Sequence, residues 1–330
     1  MSEEFSRANG RTLLSYTPDL RLFDATIRDG GLMNDFYFED DFVKALYKAN
    51  VKAGVDYMEF GYRASKDMFD PEKFGKWKFT SDEDIRAIVG DNDTDLKISI
   101  MADAGRTDYK EDIHKCDESP VDIVRVATYI HTIPTAIAMV EDAHEKGYET
   151  SVNIMAISKS SGVEIESALE LLGQSPVDIL YLVDSYGSLY PEQVRRLCDR
   201  FLECAEKYGK KVGFHAHNNQ QLAFANTTEA IIKGVCYVDG TVSSLGRGAG
   251  NCPLELLLGF LKNPKYRIDP ILSFIEKEMI PLKESGLKWG YDIPYVLTGI
   301  LNQHPRTAIQ FQKEDRKDYR QFYIDLMDNF

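Results

Sequence analysis

The chain has 330 residues, 43% of them hydrophobic, which is enough for one large core or for two ordinary domains. A formal net charge of −14 leaves no overall attraction for phosphate backbones and argues against nucleic acid as a partner. Five cysteines, an odd number with no CxxC pair, exclude a disulfide framework or a thiolate zinc site and read as packing thiols in a reducing compartment.

Residues 1–18 form a polar N-terminal segment without the apolar stretch of a secretory signal. No run approaches the roughly 18 apolar residues that a membrane helix requires. A cytoplasmic protein with no membrane partner is the expectation. From residue 19 a single alternation sets in: short apolar, β-branched runs followed by longer amphipathic segments. Eight runs read as strands: Leu20–Asp24, Tyr57–Gly61, Leu96–Ala102, Val121–Ala127, Thr150–Met155, Ile179–Asp184, Val212–His217 and Tyr237–Val242. Most are apolar on consecutive positions, as in parallel strands buried on both faces.

The segments between them carry helix punctuation. Thr80 and Glu83 read as a capping box, Pro134 and Pro191 as helix starts, and Gly147, Gly209 and Gly234 as helix stops. Eight βα units predict a TIM (β/α)8 barrel over 19–262; an open doubly wound sheet is the alternative. No GxGxxG turn follows the first strand, which weakens a dinucleotide reading. Beyond 262, helical patterns at Ile268–Lys283, Pro294–Gln303 and Arg316–Met327 occur with no strand between them. They predict a small C-terminal helical extension over 263–330.

In such a barrel the chemistry lies at the C-terminal ends of the strands. There the sequence places Asp24, Arg28 and Asp29 (DATIRDGG), Glu59, Arg125, Asn153, Asp184 and Ser185 (DSYG), and His215 and His217 (FHAHNN). Residues i and i+2 of a strand point the same way, roughly 6.5–7 Å apart, so two imidazoles at that spacing can reach one ion. With Asp29 supplying charge, a two-histidine, one-carboxylate set suits an octahedral Mn²⁺, Mg²⁺, Co²⁺ or Fe²⁺ better than Zn²⁺. Arg28, beside Asp29, is placed to hold a developing oxyanion. Asn251, in the glycine-dense GRGAGN loop after strand 8, reads either as an extra metal ligand or as the cap of a helix starting at Pro253. The loop after strand 2 holds Arg63, Lys66, Lys73, Lys76 and Lys78. It is read as a cover for an acidic substrate tail or as a solvated loop. His114, His131 and His144 read as surface or helix-end residues, whereas His304 in NQHPR is expected to pack near the site.

The ATIRDGG turn, the HAHNN strand end and the GRGAGN loop together resemble the DRE-TIM metallolyase superfamily. Within it, VDIVRVATYI, SVNIMAIS, YLVDSYG and VGFHAHNNQQLAFAN are most similar to the 4-hydroxy-2-oxovalerate aldolases, over roughly residues 20–262. The resemblance implies a TIM barrel, an ion of the Mn²⁺ or Mg²⁺ type, and a 2-oxo acid with an aldehyde as substrate pair. It puts the metal-binding Asp on Asp29, the metal-binding pair on His215 and His217, the catalytic Arg on Arg28 and the loop Asn on Asn251. A catalytic Tyr from the C-terminal helices has no firm equivalent; Tyr291 and Tyr295 are the candidates.

The aldolases carry a catalytic His three residues after the metal-binding Asp, where this chain has Leu32. Proton carriers then come from a metal-bound water, Tyr291, Tyr295 or Glu59. Arg125, Asn153, Asp184 and Ser185 are the candidates for binding substrate. A homodimer through the C-terminal helices follows by analogy alone, and a partner dehydrogenase is not carried over. Two other functions stay open: an acyl-CoA-dependent Claisen-type synthase or lyase of the same superfamily, and a non-catalytic metabolite-binding barrel.

Overall fold

Strand β1 (Arg21–Asp24) is one side of the seam that closes the molecule: it pairs in parallel with β8 (Tyr237–Gly240) as well as with β2 (Tyr57–Tyr62). The remaining strands, β3 (Lys97–Asp103), β4 (Ile123–Thr128), β5 (Glu149–Ile154), β6 (Ile179–Asp184) and β7 (Lys211–Ala216), follow in sequence order. The result is a closed, all-parallel eight-stranded barrel. This computed structural model describes residues 17–328, so positions 1–16 of the expected N-terminal segment lie outside the described residues. The eight runs expected from the sequence coincide with the eight strands. Residues apolar on successive positions are stable only with one face in the barrel and the other under helices.

A helical turn, α1 (Thr26–Gly30), leaves β1 directly, and α2 (Asp40–Ala53) follows it. The outer ring continues with α3 (Asp82–Val89), the single turn α4 (Tyr109–Asp112), α5 (Ile133–Glu145), α6 (Gly162–Gln174), α7 (Pro191–Tyr208), α8 (Ala223–Lys233) and α9 (Leu254–Phe260). Pro191 opens α7, and Gly209 and Gly234 end α7 and α8 in left-handed conformation, as the sequence punctuation predicts.

Two expectations are corrected. The capping box of α3 is Ser81 with Asp84, one residue on; Thr80 instead turns inward and donates to the Trp77 carbonyl. Between β3 and β4 the outer layer has no full helix, only the single turn α4 and a 3₁₀ turn at Cys116–Glu118. Residues 107–119 are too charged to offer a helix the apolar stripe it must bury.

The extension lies on the barrel. Helix α10 (Asp269–Phe274) runs through a wide π turn (Ile275–Met279) into α11 (Ile280–Glu284) and packs on α2. Pro281 lacks an N–H, which accounts for the widened turn before it. Then come α12 (Ile293–Ile300), α13 (Arg306–Lys313) and α14 (Tyr319–Asp328). The sequence reading missed α13, whose buried face is only Ala308 and Phe311. These last helices share a small core of their own with Ala249 and Tyr295. Among the described residues no helix is long and apolar enough to cross a membrane.

Inside the barrel, side chains stack in layers. At the lower end the Tyr57 and Tyr237 hydroxyls bond Glu149. Above them Phe23 stacks on Tyr57 at 4.1 Å, and Arg125 lies between the Phe23 and Tyr181 rings, 4.5 and 4.3 Å from their centres.

The basic loop after β2 turns its charges on its own surroundings. Arg63 pairs with Asp82, Lys73 with Asp70 and Lys76 with Asp40, while Lys66 is exposed. The Lys78 ammonium is buried among the rings of Phe36, Tyr62, Phe69 and Phe74. The loop crosses so closely over β2 that a Cβ on Gly61, at φ +150°, would stand 2.0 Å from the Trp77 carbonyl oxygen. Gly61→Ala is therefore expected to lower the unfolding free energy by at least about 2 kcal/mol in urea titration, since neither the dihedral nor the space admits a methyl group.

Candidate metal centre and its cavity

Helix α1 starts one residue after β1 and turns at once, which brings Arg28 and Asp29 over the open end of the barrel with both side chains buried. Asp24 makes this turn rigid by accepting from the Thr26 amide at 2.9 Å and from Asn50 Nδ2 at 2.6 Å. Burial pushes its carboxyl up to about 6 against those hydrogen bonds. From the opposite wall, β7 delivers His215, and His217 follows just past the strand end. Ligand atoms of Asp29, His215 and His217 all lie within 4.8 Å of one another.

The polarity of this cluster tests whether it suits a cation. Asp239, on β8, accepts from His215 Nδ1 at 2.8 Å, which leaves Nε2 facing Asp29 Oδ2 at 3.2 Å without hydrogen-bond geometry. Burial opposes charge on His215, but the hydrogen bond to Asp239 and the facing Asp29 carboxylate outweigh it and hold the ring above its ordinary value. Imidazole and carboxylate thus require positive charge between them. His217 Nε2 is 3.7 Å from the same Oδ2. Burial, with Arg247 and Arg28 nearby, keeps this second ring well below its usual range, neutral and available to ligate.

Asn251 is buried with neither amide atom bonded, so it does not cap α9. A Cβ on Gly246 would meet Asn251 Nδ2 at 2.3 Å and Asp29 Oδ1 at 3.4 Å, so this glycine is what lets the loop close on both side chains. The donor set fits a divalent cation held by Asp29, His215 and His217, with the Asn251 carbonyl close by.

A lattice of buried charge supports the cluster. Arg28 Nη1 bonds Asp29 Oδ2 at 2.8 Å, and its Nε bonds Glu59 Oε2 at 2.7 Å. Arg125 donates to the same Glu59 oxygen at 3.2 Å and to Asp239 Oδ2 at 2.8 Å. Burial works against charge on Asp29 and on Asp239, but Arg28 and both histidines hold Asp29 well below the carboxylate range. Arg125 and His215 do the same for Asp239, at about 2.

The residues expected from the sequence separate into three groups. Arg28, Asp29, Asn153, Ser185, His215 and His217 line one cavity at the open end of the barrel. Glu59 and Arg125 lie beneath it, fully buried and outside its lining, where Glu59 holds Arg28 and Arg125 holds Asp239. Asp184, Tyr291 and Tyr295 are elsewhere. The Asp184 carboxyl accepts from the Ser188 and Leu189 amides, and burial lifts it to about 6. Tyr291 is 65% exposed. Tyr295 donates its hydroxyl to Gln312 under the C-terminal helices.

Sequence reasoning missed Asp239, Tyr62, Tyr129, Tyr186 and Arg247. Asp239 alone left a signal, an acid at the end of β8. His304, expected nearby, does line the cavity, as does Leu32.

Barrel, buried cluster and cavity together define a TIM-barrel protein whose mouth carries an Asp–His–His cluster fitted to a divalent cation. The HMGL-like family model matches residues 19–273, and the chain belongs to that family, within the DRE-TIM superfamily. A 4-hydroxy-2-oxovalerate aldolase of Bacillus cereus is 27% identical over 90% of this chain and 88% of its own length. An oxaloacetate decarboxylase of Mycobacterium tuberculosis is 28% identical over 82% and 79%. The N-terminal domain of a putative aldolase from Bacteroides vulgatus superposes with a TM-score of 0.75 at 28% identity, covering 89% of this chain and 96% of that one.

In a calorimetric titration with Mn²⁺, His217→Ala is expected to abolish tight binding. Asp239→Asn, which keeps the shape but loosens His215, should weaken it about 10–100-fold. Wild-type affinity in His217→Ala would remove His217 from the ligand set.

Proposed function

We propose that this protein is a divalent-metal-dependent lyase that makes or breaks a carbon–carbon bond beside the carbonyl of a 2-oxo acid, with pyruvate as the enolate-forming half. One observation carries the reading: Arg28 and the Asp29–His215–His217 cluster open into the same small cavity. Relatives named as an aldolase and as an oxaloacetate decarboxylase support it, since both reactions leave a 2-oxo acid enolate. A divalent ion, Mn²⁺ or Mg²⁺ by the oxygen-and-imidazole donor set, supplies Lewis-acid stabilisation of the enolate charge.

The chain's own groups do the rest. Glu59 and Asp29 outweigh the burial of Arg28 and keep it charged, so it donates to the oxygen on which negative charge develops. Glu59 and Asp29 also fix its direction, so no reorganisation is needed as the charge appears. Asn153 and Ser185 offer polar contacts on the cavity wall. Leu32, Met101, Ala127, Met155 and Val183 add an apolar stretch of wall, which limits the approach of water to the carbanion.

In the aldol direction of cleavage, the C3–C4 bond of a 4-hydroxy-2-oxo acid breaks and its electron pair enters the enolate. The C4 hydroxyl loses its proton as the carbonyl forms, and C3 takes up a proton. Leu32 in the cavity wall favours a second reading, loss of CO2 from a 3-carboxy-2-oxo acid, because that cleavage has no hydroxyl proton to remove.

With Mn²⁺ in D₂O the protein is expected to exchange the methyl protons of pyruvate, read by proton NMR, and EDTA should stop the exchange. Arg28→Ala should slow it about 100–1,000-fold, the loss typical of one oxyanion donor. Metal-loaded protein with no exchange would refute the enolate reading.

A further inference from the structure

Arg247 is the cation that the mechanism above leaves unused. It stands in the glycine-dense loop after β8. Its backbone amide reaches Asp29 Oδ1 at 3.3 Å, while its side chain passes along the cavity wall and bonds the Ser185 carbonyl through Nη2 at 2.8 Å. Its Nε is buried with no hydrogen-bond partner, and the guanidinium has no acidic partner among the described residues. The other buried arginines beneath this cavity are paired with carboxylates, Arg28 with Asp29 and Glu59, and Arg125 with Glu59 and Asp239. A half-buried guanidinium left without a counter-charge in a chain of net charge −14 is a binding group for an anion from outside.

The surroundings agree. His304 lies on the same cavity, and its Nδ1 accepts from the Arg306 amide at 3.1 Å, which leaves Nε2 to carry the proton as a donor. The charges of Arg247 and Arg306 both reach His304 and Tyr186, so two cations converge on this side of the cavity.

We infer that Arg247 selects the acceptor half of the substrate and that this half carries a carboxylate: the substrate is a 4-hydroxy-2-oxo dicarboxylate, cleaved to pyruvate and a second oxo acid. The inference rests on the enolate reading above and adds the identity of the other half. It also decides between the two cleavages. A carboxylate clamped by Arg247 keeps its charge throughout an aldol cleavage. One leaving as CO2 loses its charge, and the same clamp would stabilise the ground state against the transition state. The geometry therefore suits a carboxylate that remains on the product.

The test is aldol addition of pyruvate to glyoxylate and to acetaldehyde, each followed as kcat/KM on the Mn²⁺-loaded full chain. The wild type should prefer glyoxylate. A charge-assisted hydrogen-bonded pair corresponds to a factor of about 10–200. Arg247→Gln, which keeps a donor near the Ser185 carbonyl, should lower the glyoxylate-to-acetaldehyde ratio at least tenfold, and Arg247→Lys should retain most of it. Because both substrates are read on the same protein, partial unfolding of a variant cancels from the ratio. An unchanged ratio in Arg247→Gln, or a wild type that prefers acetaldehyde, overturns the inference. Pyruvate deuterium exchange in the wild type separates the two claims. Exchange with a failed ratio sinks only the role of Arg247; no exchange and no addition to either acceptor sinks the enolate reading and the inference together.

Discussion

The site depends on a buried lattice of opposite charges. Arg28 and Arg125 are held among Asp29, Glu59 and Asp239, all within the barrel mouth and nearly inaccessible to water. Burying any one of these groups alone would cost several kcal/mol, so each is present only because its partners are. Two guanidiniums stand against three acidic side chains, and the histidines between them offer lone pairs. The lattice is one positive charge short at the place where Asp29, His215 and His217 meet. It asks for a cation there, and its rigidity fixes where the ligating atoms stand.

That lattice is reached from five strands. Asp29 and Arg28 come from the turn after β1, Glu59 from β2, Arg125 from β4, the histidines from β7 and its end, and Asp239 from β8. A parallel barrel brings the same end of every strand to one mouth, so Arg125 and Asp239, 114 residues apart in sequence, become hydrogen-bonded neighbours. Arg125 shows the economy of this arrangement. Its planar group fits between Phe23 and Tyr181 while its edge bonds Glu59 and Asp239, so the apolar middle of the barrel and the charged mouth share one residue.

The C-terminal helices complete the mouth from outside. The Trp289 indole donates to the Ser243 carbonyl, Gly290 donates to the Gly248 carbonyl, and the Tyr295 ring lies against Gly248. These contacts hold the glycine-dense loop that presents Arg247 and Asn251. Tyr295, one of two tyrosines considered for catalysis, acts here by packing. The extension also supplies His304, which gives this side of the cavity a donor that the barrel itself does not provide.

The sequence by itself determined the parallel α/β layout and the trio of Asp29, His215 and His217. Eight runs apolar on successive positions require a parallel sheet covered on both faces, which the pairing of β1 with β8 closes into a barrel, and an HxH at a strand end opposite an acid retains its spacing in any parallel barrel. Helix stops at Gly209 and Gly234 were equally legible, because a left-handed residue carries a local cost that glycine removes. What only the tertiary structure decided were the roles that depend on partners far along the chain. Arg125 and Glu59 read as substrate or catalytic groups until the fold showed them neutralising each other beneath the site. Asp184 and Ser185 are adjacent, yet one caps backbone amides and the other faces the cavity. The five cations after β2 suggested a place for an acidic substrate, but Arg63 and Lys76 meet Asp82 and Asp40 from elsewhere in the fold, Lys73 meets Asp70 of the loop itself, and Lys78 is shut among aromatic rings. Arg247, a single arginine among glycines, gave no sequence signal. A residue's own type states what it can bond; which bonds remain unmade is known only when every neighbour is in place.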